Sequence, residues 1–87
     1  MPKVADISII VSELSAFIVN NIVAEGIPVR KETQLAEIGV DSFSIIEIIL
    51  FIERKFGVVI PDESLIPENL RSVEALAACT LRHLQQN

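Results

Sequence analysis

The sequence predicts an all-α fold, a small four-helix bundle with three main helices, a short third helix and a long loop between helices one and two. Three segments carry apolar residues at spacings of three and four, the period of a helix buried along one face. Apolar residues make up 51% of the chain and aromatics only 5%, so Val, Leu, Ile and Ala must build the core. With 87 residues, the chain fits one domain, 1–87.

Helix one is predicted over about 4–23, because one apolar stripe runs through this whole segment. Gly26 followed by Pro28 ends it, since Gly tolerates a left-handed cap and Pro cannot continue a helix. The stripe is Val4, Ile7, Val11, Leu14, Ile18 and Ile22, widened by Ile10 and Phe17, with Ile9 and Val19 outside it.

The segment 26–41 breaks this pattern and is predicted to be a long loop. Thr33 is a candidate cap for a single helical turn that brings Leu35 and Ile38 into the core. Long loops in small domains are commonly functional or held down by buried side chains.

Helix two is predicted to begin at Asp41 or Ser42 and to end near Phe56, with Gly57 as the stop. The many isoleucines also allow a strand, but strict alternation fails and such a strand has no partner in a helical chain. The helix is therefore favoured. Its core stripe is Ile45, Ile48, Ile49, Ile52 and Phe56.

The last third predicts an extended segment, a short helix and a final helix. Val58 and Ile60 are expected to plug the core, and the segment 67–70 begins with a proline, as the first turn of a helix allows. Ser72 is a candidate cap for the last helix. The apolar stripe of this helix is Val73, Leu76, Ala77, Leu81 and Leu84.

Charge and hydropathy exclude several classes of partner. The net charge is −5 and basic residues are never more than two in a row, which disfavours a nucleic-acid partner and suits basic protein surfaces. The apolar run from Ile48 to Ile52 is far too short to span a membrane, and no secretory signal is visible at the N-terminus. We expect a cytoplasmic protein.

The sequence offers no catalytic or metal site, so we expect that the chain is not an enzyme. Cys79 is the only cysteine and is predicted to be a buried, reduced thiol. The only histidine, His83, is expected to be solvated near the end of the last helix, so Ser42 lacks a nearby base. Glu47 and Glu53 fall on different faces of helix two and do not form a carboxylate pair.

The outer side of helix two is unusually apolar for a surface. Such a patch on a small domain marks an interaction site, although a wider core contact with the long loop or the third helix is the alternative. The residues predicted to point outward are Phe43, Ile46 and Leu50, with Phe51 outward or at the edge and with Glu47 and Arg54 on the same side.

Ser42 has two interpretations at this stage. At a helix N-terminus its hydroxyl lies beside free backbone N–H groups and the positive end of the dipole, which favour an attached anion such as a phosphodiester by ~0.3–1 kcal/mol. A plain N-cap role for Ser42 or Asp41 explains the same residues. Both roles for Ser42 are compatible with its position at the helix N-terminus.

The stretch LAEIGVDSFSIIEIILFIERKFGVVIPDE resembles the signature of acyl carrier proteins. The family pattern is Gly-x-Asp-Ser-Leu, a Glu five residues after the Ser, a Phe-Gly helix end and an Ile-Pro-Asp loop. The resemblance extends from about 33 to 84 and includes PENLRSVEALA. The matching residues are Gly39, Asp41, Ser42, Glu47, Phe56-Gly57 and Ile60-Pro61-Asp62.

This resemblance implies a function. A phosphopantetheinyl transferase would attach the 4′-phosphopantetheine of coenzyme A to Ser42, and Asp41 would assist the transferase or the start of the helix. The terminal thiol would hold acyl groups as thioesters for acyl-loading and acyl-processing enzymes of lipid, fatty-acid or polyketide biosynthesis. These enzymes would dock on the outward residues of helix two, and the carrier is expected to be a monomer.

The sequence also departs from the family pattern. Phe43 replaces the Leu after the serine, Ser44 stands where an acidic residue is usual, and the charges between Ser42 and Phe56 sum to zero. We therefore expect a dedicated carrier of a specialised pathway, not the general fatty-acid carrier, and the Asp-Ser pair disfavours a peptidyl carrier. The alternatives are a carrier of aminoacyl or aryl groups and an unmodified helical adaptor.

Overall fold

The computed structural model describes residues 6–86, and these confirm the predicted all-α architecture. Two short 3-10 turns lie in the connections, at Leu35–Ile38 and Asp62–Ser64. The part of the chain described contains no strand, only an isolated bridge between Gln34 and Ser72. The helices are α1, Ile7–Asn21; α2, Ser42–Phe56; α3, Pro67–Leu70; and α4, Val73–Gln86.

Helix α1 begins at Ile7 after its N-cap Asp6, and the predicted start at residue 4 lies outside the described residues. The Asp6 side chain caps the helix by accepting a hydrogen bond from the Ser8 N–H, at 3.0 Å. The buried stripe of α1 is narrower than predicted. Ile10, Leu14 and Ile18 are fully buried, whereas Ile7, at the end of the helix, is exposed. As predicted, Ile9 and Val19 lie outside the stripe and are exposed.

The core lies where α1, α2 and α4 meet. The predicted residues Leu81 and Leu84 of α4 are only half-buried, and so are Ile45 and Phe56 of α2. Thr80, absent from the predicted stripe, is fully buried. Its hydroxyl donates a hydrogen bond to the Leu76 carbonyl at 2.8 Å, which removes the cost of burying an unpaired polar group. The fully or nearly buried side chains of α2 and α4 include Ile48, Ile49, Ile52, Val73, Leu76, Ala77 and Cys79.

The predicted burial of Cys79 is confirmed. Its side chain belongs to the core, and burial raises the pKa of the thiol, although the Arg82 guanidinium acts in the opposite direction. A raised thiol pKa keeps the reactive thiolate scarce, so this cysteine is a structural apolar residue.

The long loop is held against the start of α4. The prediction that Thr33 caps the turn Leu35–Ile38 is wrong, because its hydroxyl accepts a hydrogen bond from the Arg30 N–H at 2.9 Å and closes the preceding turn. Leu35 is buried as expected, and its N–H donates to the Arg71 carbonyl at 2.9 Å. This backbone bond holds the loop against the start of α4.

The connection from α2 to α4 contributes Val58 and Ile60 to the core, as predicted. The expectation that His83 is solvated is wrong: its Nε2 lies 3.0 Å from the Ser64 hydroxyl, in a half-buried position. Ser72 caps α4 by accepting from the Ala75 N–H at 3.1 Å, which confirms the predicted cap. Among residues 6–86, no helix combines the length and the hydropathy that crossing a membrane requires.

Candidate functional site

The N-terminus of α2 is built by a glycine turn, a buried anchor and a cap. Gly39 has a φ of +94°, in the left-handed region that favours glycine, and Val40 is then buried in the core. Asp41 takes an extended conformation, and its carboxylate accepts a hydrogen bond from the Ser44 N–H at 2.9 Å. The cap is therefore Asp41, and Ser42 is the first helical residue.

This division of roles leaves the Ser42 side chain exposed to solvent. Because Asp41 makes the capping bond, the start of the helix does not depend on the Ser42 hydroxyl. The hydroxyl stands beside the first backbone N–H groups of a helix of 15 residues, at the positive end of its dipole. An enzyme can reach it without local unfolding.

The Asp41 carboxyl group is more acidic than that of a free aspartate. Hydrogen bonds from the backbone N–H and then from the hydroxyl of Ser44 hold the pKa of the Asp41 carboxyl below its ordinary value of 3.8. The carboxylate is consequently ionised at neutral pH and stays committed to the helix start.

A groove of about 330 Å³ opens beside Ser42, between α2 and the segment that contains α3. Leu35, Val40 and Ile45 give it an apolar floor, and Leu70 and Arg71 lie on its far side. Sequence reasoning missed Leu70 and Arg71 as neighbours of Ser42, since only the tertiary fold brings α3 to this helix end. An exposed hydroxyl at a helix N-terminus, with an open groove alongside, fits a covalently attached phosphodiester arm.

The outer side of α2 is exposed along most of its length. Phe43 is 73% exposed, Ile46 58% and Leu50 47%, and the side chains of Glu47 and Arg54 are also exposed. The alternative of a wider core contact is thus wrong for the three apolar residues, while their role in partner binding stays a prediction.

Phe51 is the exception on this side of α2. It is half-buried, and its ring stacks on Phe17 of α1 with the ring centroids 4.3 Å apart and the planes within 12°. Because the Phe51 ring stacks on Phe17, it packs against the bundle. Phe51 is therefore not one of the outward-pointing apolar residues of α2, although the sequence pattern allowed that position.

Within 6–86, no cluster of three or more His, Cys, Asp or Glu side chains is arranged to hold a metal ion.

Comparison with known proteins connects this geometry to a family. The family model described as "Phosphopantetheine attachment site" matches residues 21–80. Aminoacyl carrier protein 2 of Bradyrhizobium diazoefficiens is 36% identical over 56 residues, which are 64% of this chain and 63% of the relative. Acyl carrier protein 2, chloroplastic, of Spinacia oleracea is 36% identical over 64 residues, 74% of this chain and 47% of the relative. The chain thus spans less than two thirds of the length of these relatives.

Two solved structures are similar over most of the chain. One is the glycine:[carrier protein] ligase of Bradyrhizobium japonicum complexed with glycylated carrier protein; the match has a TM-score of 0.68 and 26% identity, covering 84% of this chain and 96% of that one. The other contains the same ligase with its cognate carrier protein and an analogue of glycyl adenylate; the TM-score is 0.67 and the identity 25%, covering 93% and 97%.

The matched region contains the whole helix start described above, from Gly39 to Ser44. It spans more than half of the chain, and the solved carriers share the same helical fold. The chain therefore belongs to the phosphopantetheine attachment-site family, and its matched domain is of the kind to which 4′-phosphopantetheine is covalently attached.

Proposed function

We propose that Ser42 carries the 4′-phosphopantetheine and that the chain holds aminoacyl groups as thioesters, which it presents to partner enzymes. The observation that carries this proposal is the exposed Ser42 hydroxyl at the N-terminus of α2, inside the segment matched by the family. The arm supplies a terminal thiol, and its length delivers one substrate to several active sites at high effective concentration.

For the attachment reaction, this chain has to supply only an accessible nucleophile. The Ser42 oxygen forms a bond to the phosphorus that carries the pantetheine of coenzyme A, and the bond from that phosphorus to the adenosine bisphosphate portion breaks. The serine proton passes to a base of the transferase, since the neighbouring Asp41 carboxylate is engaged with the Ser44 N–H. Asp41 holds the helix start, whose backbone N–H groups favour the new phosphodiester by ~0.3–1 kcal/mol.

The choice of an aminoacyl cargo is supported by the relatives. Two of them are named aminoacyl carrier proteins, and both similar structures contain a carrier bound to a glycine ligase. The neutral charge balance of α2 also separates this chain from the strongly acidic carriers of fatty-acid synthesis that it resembles.

A second candidate cargo is an acyl group of lipid, fatty-acid or polyketide biosynthesis. The similarity to the chloroplastic acyl carrier protein favours it. The two candidates share the attachment site and differ in the enzyme that loads the thiol, so a loading assay separates them.

The partner enzymes, including the transferase, are proposed to dock on the outer side of α2. The exposed apolar residues Phe43, Ile46 and Leu50 would supply most of the contact area, and Glu47 and Arg54 would fix the orientation of the partner. This surface begins one residue after Ser42, so a bound enzyme lies next to the arm.

The loading experiment starts from protein modified with coenzyme A, Mg²⁺ and a broad-specificity transferase. One sample receives ATP, glycine and other small amino acids, and the B. japonicum ligase; a second receives ATP, fatty acids and a fatty-acyl ligase of broad specificity. We expect an aminoacyl adduct by intact mass, sensitive to hydroxylamine as a thioester is, and absent from Ser42→Ala. Acylation without aminoacylation would contradict the aminoacyl cargo and favour the second candidate.

A further inference from the structure

A second groove, of about 390 Å³, lies between α1 and α2 and shares no lining residue with the groove beside Ser42. It opens towards the C-terminal half of α2, away from the attachment site. Its lining residues are Phe17, Glu47, Leu50, Phe51, Arg54 and Lys55.

The floor of this groove is apolar and contains a stacked aromatic pair. The stacked rings of Phe17 and Phe51 join α1 to α2, and Leu50 stands beside them, half-exposed. Two stacked rings lose little conformational freedom when they are covered, which makes them efficient contact surfaces. Leu50 also belongs to the proposed docking surface, so the groove continues that surface onto α1.

The charges at the rim are unequal in their availability. The charged lining residues are Glu47, Arg54 and Lys55, and Lys55 pairs with Glu13 of α1 at 3.6 Å. Arg54 is exposed and forms no ion pair within residues 6–86. The groove therefore has an available guanidinium at one end, and the exposed Glu47 carboxylate lies about two helical turns away in the same lining, in a chain whose net charge is −5.

Arg54 and Lys55 lie in the last turn of α2, where basic residues stabilise a helix through its dipole. The dipole therefore explains part of their presence. It gives no reason for an open aromatic floor beside them. The combination of apolar floor and guanidinium instead matches a ligand with both characters, and a guanidinium pairs with a carboxylate through two parallel hydrogen bonds.

We propose that this groove receives a segment of a partner enzyme that presents a large apolar side chain next to a carboxylate. The apolar side chain lies against Phe17 and Phe51, and the carboxylate binds Arg54. The inference rests on the proposed function in that the partner is an enzyme acting on the carrier. It adds α1 to the contact and requires an acidic segment on that partner, the opposite of the basic surface that the net charge of the chain suggests.

The test uses the full chain labelled with ¹⁵N and two short peptides as probes, Ac-Leu-Phe-Asp-Asp-NH₂ and Ac-Leu-Phe-Lys-Lys-NH₂. We expect the acidic peptide to shift the backbone amide signals around Phe17, Phe51 and Arg54, and the basic peptide to leave them in place. Arg54→Glu should weaken the acidic peptide about three- to tenfold, the range of one exposed charge pair reversed in sign. Arg30→Glu, a matched reversal of an exposed arginine in the long loop, should leave its affinity unchanged.

Three results would overturn the proposal: equal binding of both peptides, shifts centred on the groove beside Ser42, or no shift up to the solubility limit of the acidic peptide. The failure of the proposed function is seen separately, because modification of Ser42 by coenzyme A and a transferase is measured by mass on the same proteins. Normal modification without peptide binding rejects the groove alone. Peptide binding without modification rejects Ser42 as the attachment point and leaves the groove.

Discussion

The two faces of α2 are made of the same kinds of side chain and have opposite surroundings. On the inner face, Ile48 and Ile52 are fully buried, whereas on the outer face Ile46 and Leu50 are about half-exposed. Burial of an aliphatic side chain stabilises a fold by about 1.5–3 kcal/mol, and a side chain left in water contributes little of this. The inner face thus accounts for stability, and the outer face is free to bind other proteins.

The largest expected effect is on the inner face. Ile52→Ala should lower the free energy of unfolding by about 2–5 kcal/mol, because it removes buried methyl groups and leaves a cavity. Ile46→Ala, the same substitution on the outer face, should cost about 0.5 kcal/mol or less. Urea unfolding followed by far-UV circular dichroism measures both, and similar costs for the two variants would remove the distinction between the faces.

The outer face is expected to act through apolar contact more than through charge. Leu50→Glu should lower kcat/KM for phosphopantetheine transfer about tenfold, ~1.4 kcal/mol, since it places a carboxylate in an apolar contact. Glu47→Gln should change kcat/KM about twofold or less, as an exposed charge does. The reverse order, together with strong dependence on salt, would show that charge governs docking.

Acid should weaken the start of α2 through its cap. The pKa of Asp41 is lowered in the folded chain, so its contribution to stability is present above the ordinary value of 3.8 and is lost as pH falls through the folded pKa. Asp41→Asn keeps a capping side chain without the charge and should lose less thermal stability on acidification than the parent. Asp6, whose pKa hydrogen bonds from Ser8 lower, keeps a residual acid dependence in this variant. Identical pH profiles for parent and variant would argue against a charged cap.

The smallest expected effect on stability is at Ser42. Ser42→Ala should leave the free energy of unfolding within about 0.5 kcal/mol of the parent, because the side chain is exposed and Asp41 makes the capping bond. Thermal unfolding checks this result. A loss of about 1 kcal/mol or more, the size expected for a lost helix cap, would mean that the serine supports the helix after all.

Local sequence patterns predicted the helices well, but they did not predict which side chains of distant segments contact one another. The bounds of α2 follow from Asp41, Gly57 and the isoleucine spacing, all of which act within one segment. The position of His83 depends on Ser64, and that of Phe51 on Phe17; each partner lies on a distant segment that periodicity does not describe. The capping prediction for Thr33 was wrong for a different reason. Its hydroxyl can accept a hydrogen bond from an N–H on either side along the chain, and the loop geometry places the Arg30 N–H in reach.

The sequence indicated a candidate attachment residue and little of the structure that surrounds it. An Asp-Ser pair before an isoleucine-rich helix, in the order of a known signature, indicated Ser42 as the attachment point. It left open which residue caps the helix, and the structure assigns the cap to Asp41. Leu70 and Arg71 line the groove beside Ser42 only because the chain folds back through α3, so no motif in the sequence could have named them.

Attachment at Ser42 is the central claim, and one measurement tests it directly. Parent and Ser42→Ala proteins are incubated with coenzyme A, Mg²⁺ and a transferase of broad specificity, and intact masses are recorded for both, with unfolding curves to show that both are folded. We predict a single phosphopantetheine adduct on the parent and none on the variant. An adduct that persists on folded Ser42→Ala, or a parent that remains unmodified by every transferase tried, would contradict the account.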